Sequence, residues 1–264
     1  MATEEQGLQD LKEPKKLKPI FSVPNLPKIK DTGRQYRNEW KYCCSNHDLA
    51  LLESRLSELL STDKHSGISG GYNVRSLYFD DIRNTCAYQN QAGLPDRFKW
   101  RIRYYGGGTS RHMHLEFKRK HDGRGIKKSC RITEEEFKKI LDNRPEEVLW
   151  GTDERLLKRF CYEIMTRGFR PKVIIDYDRV AYTEPITNIR ITLDKNISAA
   201  YEFDKFLSGD YLKMPLQEAN NHILEVKFDN ILPSYIRNIV DSYGMKQTSF
   251  SKYYFGRKKL EELI

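Results

Sequence analysis

The chain has 264 residues, of which 31% are charged, and carries a formal net charge of +9 with a pI of about 9.1. This length can bury a sizeable core, and a basic balance favours anionic partners such as nucleic acid, membrane headgroups or phosphorylated molecules. No stretch approaches the ~18 apolar residues of a membrane span, and the N-terminus lacks the pattern of a signal peptide. We therefore expect a cytoplasmic protein with no membrane span of its own. The five cysteines lack CxxC spacing and predict reduced thiols rather than disulfides or a zinc site.

The first 34 residues are rich in proline and lysine and have few periodic apolar positions. This composition predicts a flexible lead at 1–34. The remaining residues, 35–264, show no internal repeat and predict one α+β domain.

Apolar periodicity, capping residues and glycine turns predict the elements of this domain. In chain order they are a strand at 35–43, a helix capped by Ser45 or Asn46 with an apolar stripe of Leu49, Leu52, Leu56 and Leu59, strands at 74–80, 97–105, 112–120 and 126–132, helices following Thr133 and at 153–167, strands at 172–182, 188–194 and 222–228, and a helix at 234–243. The glycine run at 106–108 predicts a hairpin turn, because it lacks the spacing of a phosphate-binding loop.

Five of the predicted strands alternate charged with apolar residues, so each has one ionic and one apolar face. If helices cover the apolar face, the ionic face lines a shared interior, and closing the sheet makes that interior a basic tunnel. The ionic face carries nine cations, Arg37, Lys41, Lys99, Arg101, Arg103, Lys118, Lys120, Arg190 and Lys227, and four carboxylates, Glu39, Glu116, Asp194 and Glu225.

This mixture of charges suits a phosphate chain. Arginine binds phosphate oxygens with two parallel hydrogen bonds, whereas lysine acts as a point charge. The carboxylates would repel phosphate unless they hold a divalent metal such as Mg²⁺ or Mn²⁺, or unless each pairs with a neighbouring lysine or arginine. The residues themselves leave both roles open.

Eight short motifs follow one another along the chain. They are Arg37-x-Glu39-x-Lys41-Tyr42, Ser76-Leu77-Tyr78-Phe79-Asp80, Lys99-x-Arg101-x-Arg103-x-Tyr105-Gly106, Leu115-Glu116-x-Lys118, Asp176-Tyr177-x-Arg179-x-Ala181-Tyr182, Arg190-Ile191-Thr192-Leu193-Asp194, Leu224-Glu225-Val226-Lys227 and Ser251-Lys252-Tyr253. Together they resemble the VTC (vacuolar transporter chaperone) domain of polyphosphate polymerases, which belongs to the triphosphate tunnel metalloenzymes together with CYTH-type enzymes.

The resemblance implies an antiparallel β-barrel tunnel with helices packed outside, in which the γ-phosphate of ATP is transferred to phosphate or a growing polyphosphate chain with Mn²⁺ or Mg²⁺ as cofactor. The catalytic residues would be Lys41, Arg101, Arg103, Lys118 and Glu225. Substrate binding would involve Arg179, Arg190, Lys227 and Lys252, with Lys99 and Lys120 beside them and Lys128 and Arg131 from the short strand. Glu225 would hold the metal, with Glu39 and Glu116 as further candidates.

Two other functions compete with polymerisation. One is hydrolysis of triphosphate or tripolyphosphate on the same fold, but hydrolase relatives carry Glu-x-Glu-x-Lys where this chain has Arg37-x-Glu39-x-Lys41, which favours phosphate binding. The other is a non-catalytic module that binds polyphosphate or RNA. Trp40, Trp100 and Phe117 alternate with the cations and should face away from them. We therefore expect no base stacking and no specific nucleic-acid partner.

Overall fold

The computed structural model describes residues 37–63, 70–106, 113–121 and 124–262. The predicted lead at 1–34 and the glycines at 107 and 108 lie outside the described residues. The elements are β1 (Asn38–Ser45), α1 (Asn46–Leu59), β2 (Ser61–Thr62), β3 (Tyr72–Asp80), α2 (Thr85–Gln91), β4 (Arg97–Gly106), β5 (Met113–His121), β6 (Arg124–Ile132), α3 (Glu134–Leu141), α4 (Pro145–Gly151), α5 (Arg155–Arg167), β7 (Arg170–Glu184), β8 (Ile189–Ala200), a 3₁₀ turn (Phe203–Lys205), β9 (Met214–Pro215), β10 (Asn221–Phe228), α6 (Ser234–Asp241), β11 (Lys246–Gln247) and α7 (Lys252–Glu261).

The strands form one antiparallel sheet in the order β11-β1-β10-β8-β7-β3-β4-β5-β6, with β2 added to β7 and β9 to β8. The two sides of the sheet meet where Arg37, next to β1, forms an isolated bridge to Gly125 of β6. The tunnel fold is therefore as predicted, but in the described residues a single bridge, rather than a full ladder of backbone hydrogen bonds, joins β1 to β6.

Helices cover the apolar face of the sheet in two groups. Helix α1 packs Leu49, Leu52 and Leu56 against β1, β8 and β10, and α6 completes this cluster. Leu59 departs from the predicted stripe, since it is 54% exposed and Leu60 is buried in its place. Helices α3, α4 and α5 contribute to the second cluster, over β3, β4, β5 and β7.

Aromatic packing gives the second cluster its centre. The ring centroids of Trp100 and Phe160 lie 4.9 Å apart, and those of Trp100 and Phe117 lie 4.7 Å apart. Both strand residues belong to the apolar parity of their strands, so the alternation in the sequence directs them under α5. Among the helices of the described residues, none has the length and apolar composition needed to cross a bilayer.

Helix α7 does not lie outside with the other helices. A Cβ placed on Gly256 would overlap Ile175 Cδ1 and come within 3.2 Å of Val173 Cγ2. These two β7 residues pair in register with Ser76 and Tyr78 of β3, which belong to the inner face. Helix α7, which was not among the predicted helices, thus packs against the interior face of the sheet.

We expect Gly256→Val to lower the melting temperature, since a larger side chain must displace Ile175 or α7 and overpacking costs about 1–3 kcal/mol. Gly151→Val is the control, because nothing lies within 4 Å of a Cβ at Gly151. Thermal melting followed by circular dichroism compares the two variants. A wild-type melting temperature for Gly256→Val would contradict the packing of α7 on Ile175.

Candidate functional site

A cavity of about 370 Å³ lies on the ionic face of the sheet, and among the described residues its lining contains twelve Lys or Arg side chains and two carboxylates. The cations are Arg37, Lys41, Lys99, Arg101, Arg103, Lys118, Lys120, Lys127, Arg179, Arg190, Lys227 and Lys252, and the carboxylates are Glu39 and Glu225.

The register of neighbouring strands brings these residues together, because residues of the same parity on paired strands share one face. Lys41 of β1 lies opposite Glu225 of β10, and Glu39 lies opposite Lys227. On the other side of the cavity, the β4 residue Arg101 lies opposite Glu116 of β5. Each pairing alternates the sign of charge across the strands, which reduces like-charge repulsion.

Glu225 is the centre of one network and is 6% exposed. Its carboxylate lies 2.5 Å from Lys227 Nζ, 3.2 Å from Lys252 Nζ and 3.4 Å from Lys41 Nζ. Burial alone would raise the pKa of Glu225, but Lys227, Lys252 and Lys41 hold it well below its usual value. Glu225 is therefore ionised and is shared among three ammonium groups.

Arg179 and Asp194 form a second, bidentate pair. Arg179 Nε donates to Asp194 Oδ1 at 2.6 Å and Nη2 donates to Oδ2 at 2.8 Å. Lys252 joins it, with its Nζ 2.6 Å from Asp194 Oδ2. Burial opposes the charge of Lys252, but Asp194 and Glu225 raise its pKa. Lys252 thus links the first and second networks from the first residue of α7.

A third network surrounds Glu116, which is 2% exposed and lies behind the cavity rather than in its lining. Arg101 Nε donates to Glu116 Oε2 at 2.7 Å, and Lys127 Nζ donates to Oε1 at 3.0 Å. Tyrosine hydroxyls orient the guanidinium groups, since Arg101 donates to Tyr78 at 2.8 Å and Arg103 donates to Tyr177 at 3.3 Å.

One ion pair joins β5 to β1, where the two sides of the sheet meet, and two others lie at the edge of the cavity. Lys118 of β5 donates to Glu39 of β1 at 2.9 Å, close to the single backbone bridge. Arg190 pairs with Asp63 and donates to the Tyr72 hydroxyl at 3.1 Å. Arg37 Nε lies 3.2 Å from Asp229 Oδ1.

The structure brings together all of the predicted phosphate-binding residues except two. Lys128 pairs in register with Phe117 and so shares the helix-covered face, and Arg131 is exposed beyond the lining. Lys127 takes the position expected for Lys128, opposite Lys118. The dipeptide at 122–123 is Asp-Gly, the strongest short hairpin signal, and a two-residue turn between His121 and Arg124 would have set this register.

Tyrosines are the second group that sequence reasoning did not single out for the site. The cavity is lined by Tyr78, Tyr105, Tyr177 and Tyr253. Tyr105 shares strand parity with Arg101 and Arg103, so the alternation that predicted these cations was a signal for it. Tyr78 and Tyr177 lie on β3 and β7, which are not among the five alternating stretches. Tyr253 lies on α7, where no strand parity applies.

Of the three carboxylates predicted to bind a divalent metal, Glu39 and Glu225 line the cavity. The described residues contain no cluster of three or more His, Cys, Asp or Glu side chains that could hold a metal ion. Glu39 and Glu225 both approach the Lys41 ammonium, at 3.1 and 3.4 Å, so a cation already lies between them. Mg²⁺ commonly takes one or two carboxylates and completes its shell with water and substrate phosphates. Glu39 and Glu225 line the cavity and fit this role, whereas Glu116 lies behind the lining.

The chain is similar to proteins and structures already known. It is 30% identical over 129 residues to vacuolar transporter chaperone complex subunit 4 of Schizosaccharomyces pombe, an alignment covering 39% of this chain and 17% of that protein. The fold is similar to that of a putative adenylate cyclase from Bacillus halodurans, with a TM-score of 0.51, 12% identity and coverage of 82% of this chain and 94% of the other. A protein from Pyrococcus horikoshii OT3 has a TM-score of 0.42 and 13% identity, covering 80% of this chain and 91% of the other.

At these identities the structural similarity to the Bacillus halodurans protein shows a shared fold alone, and the chain spans 17% of the length of the curated relative. The match to a protein family covers much more of the chain, since residues 36–261 match the VTC domain. This range contains every element from β1 to α7. The chain therefore belongs to the VTC domain family.

Proposed function

We propose that this protein is a metal-dependent polyphosphate polymerase that transfers the γ-phosphate of ATP to a growing polyphosphate chain. The observation that carries the proposal is the cavity lining, twelve cations against two carboxylates on one enclosed face. Such an excess of positive charge in a water-restricted site favours a ligand with several regularly spaced negative charges. Membership of the VTC domain family supports the same class of ligand.

The chain's own residues would act by binding and neutralising the phosphates. Arg101, Arg103 and Arg179 present planar forks held by tyrosine or carboxylate partners, so little freedom is lost when they bind oxygens. Phosphoryl transfer needs mainly alignment and stabilisation of charge on the transferred group. The site thus requires no covalent nucleophile.

Glu39 and Glu225 would hold Mn²⁺ or Mg²⁺, and the bound ion would neutralise charge on the phosphate oxygens. Lys41 would then exchange its carboxylate contacts for phosphate oxygens. The same two carboxylates would keep the metal on the β1 and β10 side of the cavity.

Incubation with ATP and Mn²⁺ tests the reaction. We expect ADP to accumulate together with an acid-insoluble phosphate polymer, because the basic lining retains a long anionic product. Free phosphate is quantified alongside ADP from the first minutes. If free phosphate equals ADP throughout, the protein is a hydrolase of the same fold; if ATP is unchanged, it is a binding module.

Glu225→Gln should reduce turnover roughly 100-fold or more, as for the loss of a preorganised electrostatic group. It should also lower the melting temperature, because three buried ammonium groups lose a shared counterion. Metal-free affinity for tripolyphosphate should be retained, since the competing carboxylate is gone. Glu146→Gln, at an exposed position on α4, is the control. Wild-type turnover of the Glu225→Gln variant at saturating Mn²⁺ would show that Glu225 is not a metal ligand.

Two adjacent lysines on β6, Lys127 and Lys128, provide a matched pair of variants that tests the register of this strand. Lys127→Ala should weaken tripolyphosphate binding by roughly 5-fold, because Lys127 lines the cavity but is 51% exposed, which limits its contribution to about 1 kcal/mol. Lys128→Ala should change the affinity less than about 2-fold, since the side chain lies on the opposite face. Calorimetric titration compares them, and a larger loss for Lys128→Ala would reverse the assignment.

A further inference from the structure

Two residues of the sequence motifs, Asp80 and Tyr253, take no part in the ion-pair networks of the cavity. Asp80 is the last residue of β3, is 0% exposed and lies outside the cavity lining. Tyr253 lines the cavity with its ring but is only 1% exposed. Its hydroxyl donates to Asp80 Oδ2 at 2.6 Å, so the two motif residues contact each other.

Backbone donors fix the carboxylate of Asp80. Its Oδ1 accepts from the backbone N–H groups of Asp81 and Cys86, each at 2.9 Å, and its Oδ2 accepts from that of Ala87 at 3.0 Å. Hydrogen bonds to an ionised acceptor are strong and directional. The carboxylate is therefore held by the segment between β3 and α2 and offers the Tyr253 hydroxyl a rigid acceptor.

Tyr253 shares the first turn of α7 with Lys252, whose ammonium lies 2.6 Å from Asp194 Oδ2 and 3.2 Å from Glu225 Oε1. A helix of ten residues is marginally stable by itself, so tertiary contacts must set the position of this turn. Burial and the carboxylate of Asp80 raise the pKa of Tyr253, so the hydroxyl keeps its proton and remains a donor.

We propose that Asp80 is a positioning residue of the site, which holds the first turn of α7 through the Tyr253 hydroxyl so that Lys252 reaches the cavity. Asp80 acts on Lys252 and does not touch the ligand. The link between Asp80 and Lys252 exists without any ligand, whereas its effect on phosphate binding rests on the proposed function.

A double-mutant cycle on the full chain, titrated calorimetrically with inorganic tripolyphosphate without metal, tests this link. Tyr253→Phe keeps the ring but removes the bond to Asp80 and should weaken binding about 5-fold, and Lys252→Met should weaken it about 10-fold. In the Lys252→Met background, Tyr253→Phe should weaken binding less than about 2-fold, because the residue that it positions is gone. The same loss in both backgrounds would overturn the proposal.

Tyr211→Phe is the matched control, since the Tyr211 hydroxyl donates to the buried Asp176 at 2.7 Å and both residues lie outside the cavity lining. Each of the two Tyr→Phe variants loses one buried hydrogen bond and should melt about 2–4 °C below the wild type. Only Tyr253→Phe should bind tripolyphosphate more weakly. Equal weakening in both variants would mean a general loss of stability and would refute a positioning role.

Asp80→Asn should weaken binding as Tyr253→Phe does, because an amide has one oxygen and cannot accept all four hydrogen bonds that Asp80 accepts. If Asp80→Asn does not fold by circular dichroism, Tyr253→Phe decides. Urea unfolding of the same cycle gives a measurement without ligand, in which Lys252→Met should lower the midpoint less when Tyr253 is already Phe. Additive shifts of the midpoint would contradict the link, whereas failure of the wild type to bind tripolyphosphate would refute the proposed function and leave the unfolding cycle to decide the positioning role.

Discussion

The structure depends on neutralising a cluster of positive charge enclosed by its own sheet. Like charges in a site shielded from water repel one another strongly, so an empty cationic cavity must carry its own counterions. Glu39, Glu116, Asp194 and Glu225 supply them, and each contacts two or three cations rather than one. Strand register places these carboxylates among the cations, so the ion pairs and the backbone ladder specify the same arrangement.

Helix α7 extends this dependence from the sheet to the C-terminal end of the domain. Lys252 reaches Asp194 and Glu225 only because α7 packs on the inner face of β7, where Gly256 leaves room for Ile175. Tyr253 fixes the same turn by donating to the buried Asp80 at 2.6 Å. The ion pairs of Lys252 and the packing of α7 therefore depend on each other, and a change in either one alters the other.

Strand parity was sufficient to predict most of the cavity, because the period of two fixes which side chains share a face whatever the tertiary context. It predicted that Lys41, Arg101 and Lys227 face the cavity from the sequences of their own strands alone. Parity does not fix the register between strands. Because the sequence did not fix the register of β6, Lys128 was predicted to bind phosphate, whereas Lys127 lines the cavity. The metal role of Glu116 was also open in the sequence, since strand parity does not show that this carboxylate lies behind the cavity lining.

The elements that sequence reasoning missed have weak local signals. Helices α2 and α4 have seven residues each, too few for a clear apolar period. Helix α7 was missed for a different reason, because the residues that it buries, Tyr253, Gly256 and Leu260, include a glycine and lie among charged residues. Arg179 and Lys252 were found only through the family resemblance, since neither belongs to one of the five alternating stretches.

The division between paired and unpaired cations bears on which anions can occupy the cavity. A single small anion that approaches Arg179 must displace a bidentate carboxylate that is covalently part of the fold and cannot diffuse away. A chain of linked phosphates engages several cations at once, so each contact after the first is intramolecular and competes on better terms. Lys99 and Lys120 have no carboxylate partner among the described residues, so an anion could contact them without displacing one. Under the proposed function, the pattern of internal ion pairs would therefore discriminate between anions by their number of linked charges, which the count of cations alone would not achieve.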